Sequence, residues 1–286
     1  MSQQFVLYEP YQPPFDYDGI MIFHRNHQVG DLEWFEEGRM HRVIAANGKI
    51  GQLVISNDPE YSRLIVAVDF PDESVLKEVS NRVRNLFDLD ANPAEIQKII
   101  SLDPGLDKLL KEHPGLRVPG GWDALELAVQ TILGQVVSVA RARALIRDFI
   151  ELAGKDTGYI ANGKPVKFFP APEDIIAADL APLKTTTIRK EALKALSRAI
   201  ISKEVSFDPN QDMDLFIRNI VSIRGIGAWT ANYLALKFLR TKDAFPANDL
   251  IIARALKLHP IDVVESMRPW RGYVTILLWK SYAGIL

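Results

Sequence analysis

The chain has 286 residues, is 48% hydrophobic and 24% charged, and carries a formal net charge of -2, a balance that suits two or three packed units and excludes a disordered or collagen-like chain. It has no cysteine, so disulfides, thiolate metal sites, cysteine nucleophiles and cysteine-held iron–sulfur clusters are excluded, and chemistry falls to carboxylates, imidazoles, hydroxyls, lysines and backbone. The near-neutral total hides an asymmetry: residues 1–90 carry 8 Lys+Arg against 15 Asp+Glu, whereas 215–286 carry 10 against 4, so a polyanionic partner would meet the C-terminal part.

No apolar run approaches the roughly 18 residues that a membrane span needs. The start MSQQFVLYEPYQPPFD lacks the basic residues and long apolar core of a signal peptide. A soluble cytoplasmic protein with no membrane contact is expected.

Residues 3–8, 39–46, 49–57 and 62–70 are short β-rich stretches, and Asn47-Gly48 between two of them signals a tight hairpin turn. Helices are predicted over Tyr17 to His27 and Val75 to Phe87, the second with Val75, Val79, Val83 and Leu86 along one stripe and the stem of Arg82 beside them. Helices on one face of a small antiparallel sheet make an α+β unit, residues 1–90.

Beyond Asp90 the pattern becomes helical, with VKFF at 166–169 as the one strand-like exception. Residues 93–113 hold two short helical pieces, and PGLRVPGGW at 114–122 is a connector rich in turn formers. Helices follow at Asp123 to Leu133 and Ser138 to Leu152, interrupted at Gly134-Gln135-Val136-Val137, with Ser138 as a good N-cap for the second. Residues 153–168 read as a loop. Further helices lie near 173–178 and 189–202, the latter with Arg189, Lys190, Lys194 and Arg198 as a solvated face, and at Leu215 to Val221, favoured by Asp212 and Asp214 at its start.

Gly225-Ile226-Gly227 cannot continue that helix comfortably, yet Thr230, Ala231, Leu234, Ala235 and Phe238 resume a helical stripe at once. The result is a helix, a tight hairpin and a helix over 221–240. Gly225 and Gly227 would let a phosphate approach the main chain, and the next helix, with Thr230 in its first turn, offers unpaired N–H groups and a positive dipole end. After a loop at 241–249, Asp249 follows Asn248, a good N-cap, and precedes a helical run from Leu250 to Leu258. Taken singly, a glycine hairpin and an Asp at a helix start also serve purely structural ends.

Trp229 and Tyr233 are spaced i and i+4, on one side of the hairpin's second helix. Trp279 lies nine residues after Trp270, which on one helix puts the two on opposite faces, one toward core and one toward a pocket. The five histidines, at 24, 27, 41, 113 and 259, show no metal-ligand spacing except His24/His27 and read as structural or surface groups. No second carboxylate is evident to pair with Asp249 as a general acid.

The string RGIGAWTANYLALK followed by TKDAFPAND resembles the helix-hairpin-helix and the Gly/Pro-rich loop, ending in an essential Asp, of the DNA glycosylase superfamily. YQPPFDYD, LFDLDANP, PGLRVPGGWDALELAVQTILGQVVSVA and RPWRGYVTILLW extend the likeness over nearly the whole chain, and within the superfamily it is nearest to the bacterial 3-methyladenine DNA glycosylase II group of alkylbase glycosylases. The resemblance implies an α+β fold: a small antiparallel sheet with helices at the N-terminus, then a mainly α-helical helix-hairpin-helix glycosylase core in two subdomains, 114–240 and 91–113 plus 241–286.

It assigns catalysis to Asp249, the base pocket to Trp229, Tyr233, Trp279 and Phe23, the DNA wedge to Val136 with Gln135 beside it, and the DNA backbone contact to Gly225, Gly227 and Thr230. It implies a monomer acting in the cytoplasm on double-stranded DNA that contains damaged bases. No cofactor is required, although the family's hairpin holds a monovalent cation, Na+ or K+, through main-chain carbonyls, here those of Val221, Ile223 and Ile226. Three positions depart from the family's usual residues: Trp229 replaces the Schiff-base lysine of the bifunctional lyases, Val136 a leucine, and Leu250 a tyrosine. The first departure implies hydrolysis by water. A non-catalytic damage binder and an oxidised-purine glycosylase/lyase are the alternatives.

Overall fold

The computed structural model describes residues 2–208, 210–239, 241–258 and 261–283; the reading of His259 lies outside the described residues. The N-terminal unit runs β1 (Gln3–Pro10), α1 (Tyr17–Asn26), β2 (Glu33–Glu36), β3 (Arg39–Ala46), β4 (Lys49–Asp58), β5 (Arg63–Phe70) and α2 (Leu76–Phe87). The strands form one antiparallel five-stranded sheet in the order β1-β5-β4-β3-β2. At the β3–β4 turn Asn47 and Gly48 take φ values of 51° and 71°, the left-handed pair that a two-residue hairpin demands.

Alternate residues Leu64, Val66, Val68 and Phe70 of β5 join Leu53, Ile55, Met40 and Ile44 on one face of the sheet. Tyr17, Ile20 and Met21 of α1 and Val79, Val83, Leu86 and Phe87 of α2 cover that face. The α+β reading therefore holds, with one element added: β2 is only four residues long, too short for alternation to show. Its register pairs Glu33 with Arg42 of β3.

The helical part comprises α3 (Pro93–Ile100), α4 (Pro104–Glu112), α5 (Ala124–Gly134), α6 (Val139–Ala153), α7 (Pro172–Ala177), α8 (Thr187–Ile201), α9 (Met213–Val221), α10 (Ala228–Lys237), α11 (Leu250–Ala255), α12 (Ile261–Ser266) and α13 (Arg271–Ala283). Side chains of Asn92, Asp103, Asp123, Ser138, Thr186 and Asp212 cap α3, α4, α5, α6, α8 and α9 by accepting first-turn amides; of these, Ser138 and Asp212 stand where the sequence marks a helix start.

Residues 153–168 differ from the expected loop except at the strand-like VKFF, most of which lies in a strand. They form a two-stranded hairpin, β6 (Lys155–Ala161) and β7 (Lys164–Phe168), turned at Asn162 and Gly163 with φ values of 49° and 72°. Trp270 precedes α13 rather than sharing a helix with Trp279, so the opposite-face argument does not apply. Both indoles are buried; that of Trp270 packs on Tyr273 and under the Lys242 ammonium. No helix among the described residues is long and apolar enough to cross a membrane.

The two parts share a packed joint. Val29, Leu32 and Val43 of the sheet unit lie in the same apolar cluster as α5, α6 and α13. Arg42, 2% exposed, donates to Glu33 beside it and to both oxygens of Glu126 on α5, at 2.5 and 2.7 Å. His24 is buried with Nε2 3.2 Å from the Leu86 carbonyl, and burial pushes its imidazole down to about 3.

A histidine kept neutral in the fold but free to take a proton when unfolded withdraws stability as pH falls below its unfolded value near 6.5, until the folded value is reached. We expect the urea midpoint to fall between pH 6.5 and 4, with about 1.4 kcal/mol lost per pH unit per such histidine. A midpoint flat across that window would contradict the assignment.

Candidate active site

The chain reverses between α9 and α10 at Gly225, whose φ is +95°. A Cβ there would sit 3.0 Å from Cγ2 of Ile188 and 3.1 Å from Cβ of Ala192, so both backbone conformation and packing against α8 require glycine. Gly227 caps α10, and a Cβ on it would meet nothing within 4 Å. The first amides of α10 are thus uncovered on that side, where an anion could approach. Thr230 is 2% exposed, and its Oγ1 accepts the Gln135 side-chain amide at 3.1 Å. Buried to this degree, Thr230 presents little surface to a phosphate, and the open side of the hairpin lies at Gly227.

Asp249 is itself the N-cap of α11, correcting the assignment of that role to Asn248. Its Oδ1 accepts the amides of Ile251 and Ile252 at 2.9 and 3.0 Å and the Trp279 indole N–H at 3.1 Å. Its Oδ2 accepts the Trp229 indole N–H at 2.8 Å. Four N–H groups thus fix one carboxylate, two from the helix start and two from indoles on α10 and α13.

The same indoles begin an aromatic wall. The Trp229 and Tyr233 rings stack with centroids 5.2 Å apart, and Tyr233 lies 5.9 Å from Trp279. One turn further along α10, the Lys237 ammonium sits 4.0 Å from the centroid of Phe23 on α1, and the Phe23 ring stacks at 4.1 Å on His27. Lys237 is 1% exposed with no hydrogen-bond partner among the described residues, and burial holds its amine well below the usual lysine range. Trp229, Tyr233, Trp279, Phe23, Asp249 and Val136 all border one cleft of about 880 Å³. The cleft thus unites the candidates drawn from four separate stretches of sequence.

Val136 is fully exposed and has a φ of +52°. A β-branched residue pays steric strain there, and an isolated apolar side chain gains nothing from water; both features need a reason outside the fold. Gln135 departs from its expected place beside the tip. Its side-chain amide turns inward and donates to the Gly225 carbonyl at 3.2 Å and to Thr230 Oγ1, so it braces the loop against the hairpin. Arg189, read as part of a solvated face, instead donates to the Gln135 carbonyl and to Thr185 Oγ1.

Sequence reading missed several cleft residues. Glu33 and Glu126 border it, so carboxyls other than Asp249 do stand near the site. Both are engaged by Arg42, and burial pushes Glu126 up to about 7 against the pull of that guanidinium. His24 and His27 also line the cleft. His27 stands four residues after Phe23, the same spacing that grouped Trp229 with Tyr233, so a helical signal for it was present. Among the described residues no group of three His, Asp or Glu side chains could hold a metal ion. The carbonyl of Ile223, one of the three suggested cation ligands, accepts the Ile226 amide at 3.0 Å, leaving one lone pair for a further partner.

Comparisons with known proteins agree with one another. Residues 5–123 match a family model described as the AlkA N-terminal domain. Over 280 residues the chain is 30% identical to DNA-3-methyladenine glycosylase 2 of Escherichia coli, with 95% of each chain covered. It is 30% identical over 220 residues to the DNA-3-methyladenine glycosylase of Bacillus subtilis, covering 71% of this chain and 72% of that one. Its fold superposes on a 3-methyladenine DNA-glycosylase from Archaeoglobus fulgidus with a TM-score of 0.79 at 19% identity, over 96% of this chain and 97% of the other.

Proposed function

Because the chain belongs to the AlkA family of DNA-3-methyladenine glycosylases, we propose that it hydrolyses the N-glycosidic bond of alkylated purines in double-stranded DNA, of 3-methyladenine and 7-methylguanine type, in base excision repair. The observation that carries the reading is the Asp249 carboxylate, held by four N–H groups at the edge of an aromatic cleft.

Breaking an N-glycosidic bond builds positive charge on the sugar, and a fixed carboxylate stabilises that charge and orients water without reorganising as it develops. Oδ1 is occupied by three donors; Oδ2, with the Trp229 indole alone among the described residues, is the oxygen with capacity for sugar or water. An alkylated purine is already cationic and leaves without an acid. That agrees with Glu33 and Glu126 being engaged by Arg42, and with cation-attracting faces on Trp229, Tyr233 and Trp279. Trp229 stands where lyases of the superfamily carry lysine, so the product is an abasic site and no covalent adduct forms. The protein works as a monomer in the cytoplasm, at the DNA.

The hairpin grips the phosphate backbone through the open face at Gly227. A monovalent cation on the Val221, Ile223 and Ile226 carbonyls would add positive charge beside that contact. Val136 enters the stack as the target nucleotide swings out. Mass-spectrometric identification of bases released from alkylated, deaminated and oxidised DNA tests the function. Free alkylpurines are expected; no released base, or a borohydride-trapped enzyme–DNA adduct, would overturn it.

The wedge makes its own prediction. Val136→Gly removes both the strain and the probe, so the variant should be more stable than wild type by about 1 kcal/mol. Its base release from duplex DNA should fall about tenfold, and release from single strands should change little. Equal losses on both substrates would assign Val136 a role other than opening the duplex.

A further inference from the structure

The wall facing the aromatic cage is built from α1, and its last ring is His27. His27 is the C-cap of that helix, and its backbone amide bonds back to the Phe23 and His24 carbonyls. Its own carbonyl accepts the Gln130 side-chain amide at 2.6 Å. The imidazole stacks on Phe23 with an interplanar angle of 24° and places Nδ1 2.8 Å from the Phe23 carbonyl. A carbonyl only accepts, so Nδ1 carries the proton, and a neutral ring then has a lone pair on Nε2. Burial, against the pull of the Phe23 carbonyl bond, pushes the ring down to about 4 and so keeps it neutral. No described residue hydrogen-bonds Nε2, which is not among the sealed-off polar atoms, and the ring borders the cleft.

Asp249 and His27 lie at opposite ends of a run of contacts: Trp229, Tyr233, Lys237 and Phe23 come between them. Both border one cleft, so a purine held by its glycosidic nitrogen at Asp249 could direct the far edge of its six-membered ring toward the α1 wall. Resting on the glycosylase reading above, we propose that Nε2 of His27 accepts a hydrogen bond from the 6-amino group of a flipped adenine-type lesion, making His27 a specificity-determining residue. The methylated purine's positive charge spreads onto that amino group and strengthens it as a donor. Guanine-type lesions present an oxygen at the same position, and two acceptors then face each other.

The test is release of 3-methyladenine against 3-methylguanine, and of 7-methyladenine against 7-methylguanine, from methylated duplex DNA, each rate divided by spontaneous loss. Wild type should favour the adenine member of each pair by about tenfold, and His27→Phe, which keeps the stacked ring but removes the lone pair, should bring both ratios close to one. If wild type releases these bases without preferring adenine types, or His27→Phe leaves the ratios unchanged, the role of His27 is overturned while the glycosylase reading stands. The wild-type ratios decide alone should the variant fail to fold. If wild type releases no base from either pair, the glycosylase reading itself fails.

Discussion

Replacing Asp249 by Asn is expected to slow release of alkylated base by about 10³-fold or more, the scale associated with losing a preorganised group matched to developing charge. The substitution isolates charge from fold. An Asn side chain still offers one oxygen to the Ile251 and Ile252 amides, and Asn is among the best N-caps, so α11 should form. What it cannot do is accept on both sides. With its oxygen kept on those amides and on the Trp279 indole, its NH2 must face the Trp229 indole N–H, and the aromatic wall loses a tie as well as a charge. Single-turnover release measured by mass spectrometry should show the deficit, while affinity for DNA carrying an abasic-site mimic stays within a few-fold. A variant within tenfold of wild-type release would remove Asp249 from the mechanism.

Arg42→Met should cost about 3–5 kcal/mol of stability near pH 7, the penalty of leaving buried carboxylates without their partner. Glu33 and Glu126 keep side-chain exposures of only 6% and 10%, so neither can turn to water, and Met supplies volume but no charge. The pH dependence gives the sign. A carboxyl whose folded value is raised favours the fold while protonated, a contribution complete below its unfolded value near 4.5 and lost as pH rises through the folded one. Burial holds Glu126 near 7 even with Arg42 present, and without Arg42 it rises further. The variant's deficit in urea midpoint should therefore grow from pH 5 to pH 8. Adding Glu33→Gln and Glu126→Gln should recover much of it; a deficit independent of pH would mean that the loss is packing alone.

What could be read in the sequence was local. The hairpin follows from two glycines between helical stripes, the starts of α6 and α9 from Ser138 and from Asp212 with Asp214, and the Trp229–Tyr233 pair from one helical turn. The β6–β7 hairpin was legible by the same standard, because Asn162-Gly163 repeats the signal of Asn47-Gly48; the lysine-rich, glycine-broken stretch around it obscured the strands. Asn248 and Asp249 are both good caps, and propensity does not choose between neighbours; the indoles of Trp229 and Trp279 distinguish them only in three dimensions. Arg42 meets Glu126 across 84 positions and Gln135 meets Thr230 across 95, pairings that no periodicity announces. Trp270 misled for the opposite reason: a spacing argument was applied across the boundary where α13 begins.

The brace at Gln135 has a mechanical consequence. Its amide ties the Val136 loop to the Gly225 carbonyl and the Thr230 hydroxyl, so the tip and the hairpin form one calliper with a fixed gap. If Val136 and the hairpin act as proposed, a protein sliding on DNA with this calliper would meet every base step at the same offset from whichever phosphate it held. The quantity it would sample during such a search is how readily each step yields to that constant push, a property of stacking and pairing. Steps weakened by damage would hold the calliper longest, before any base has reached the cleft.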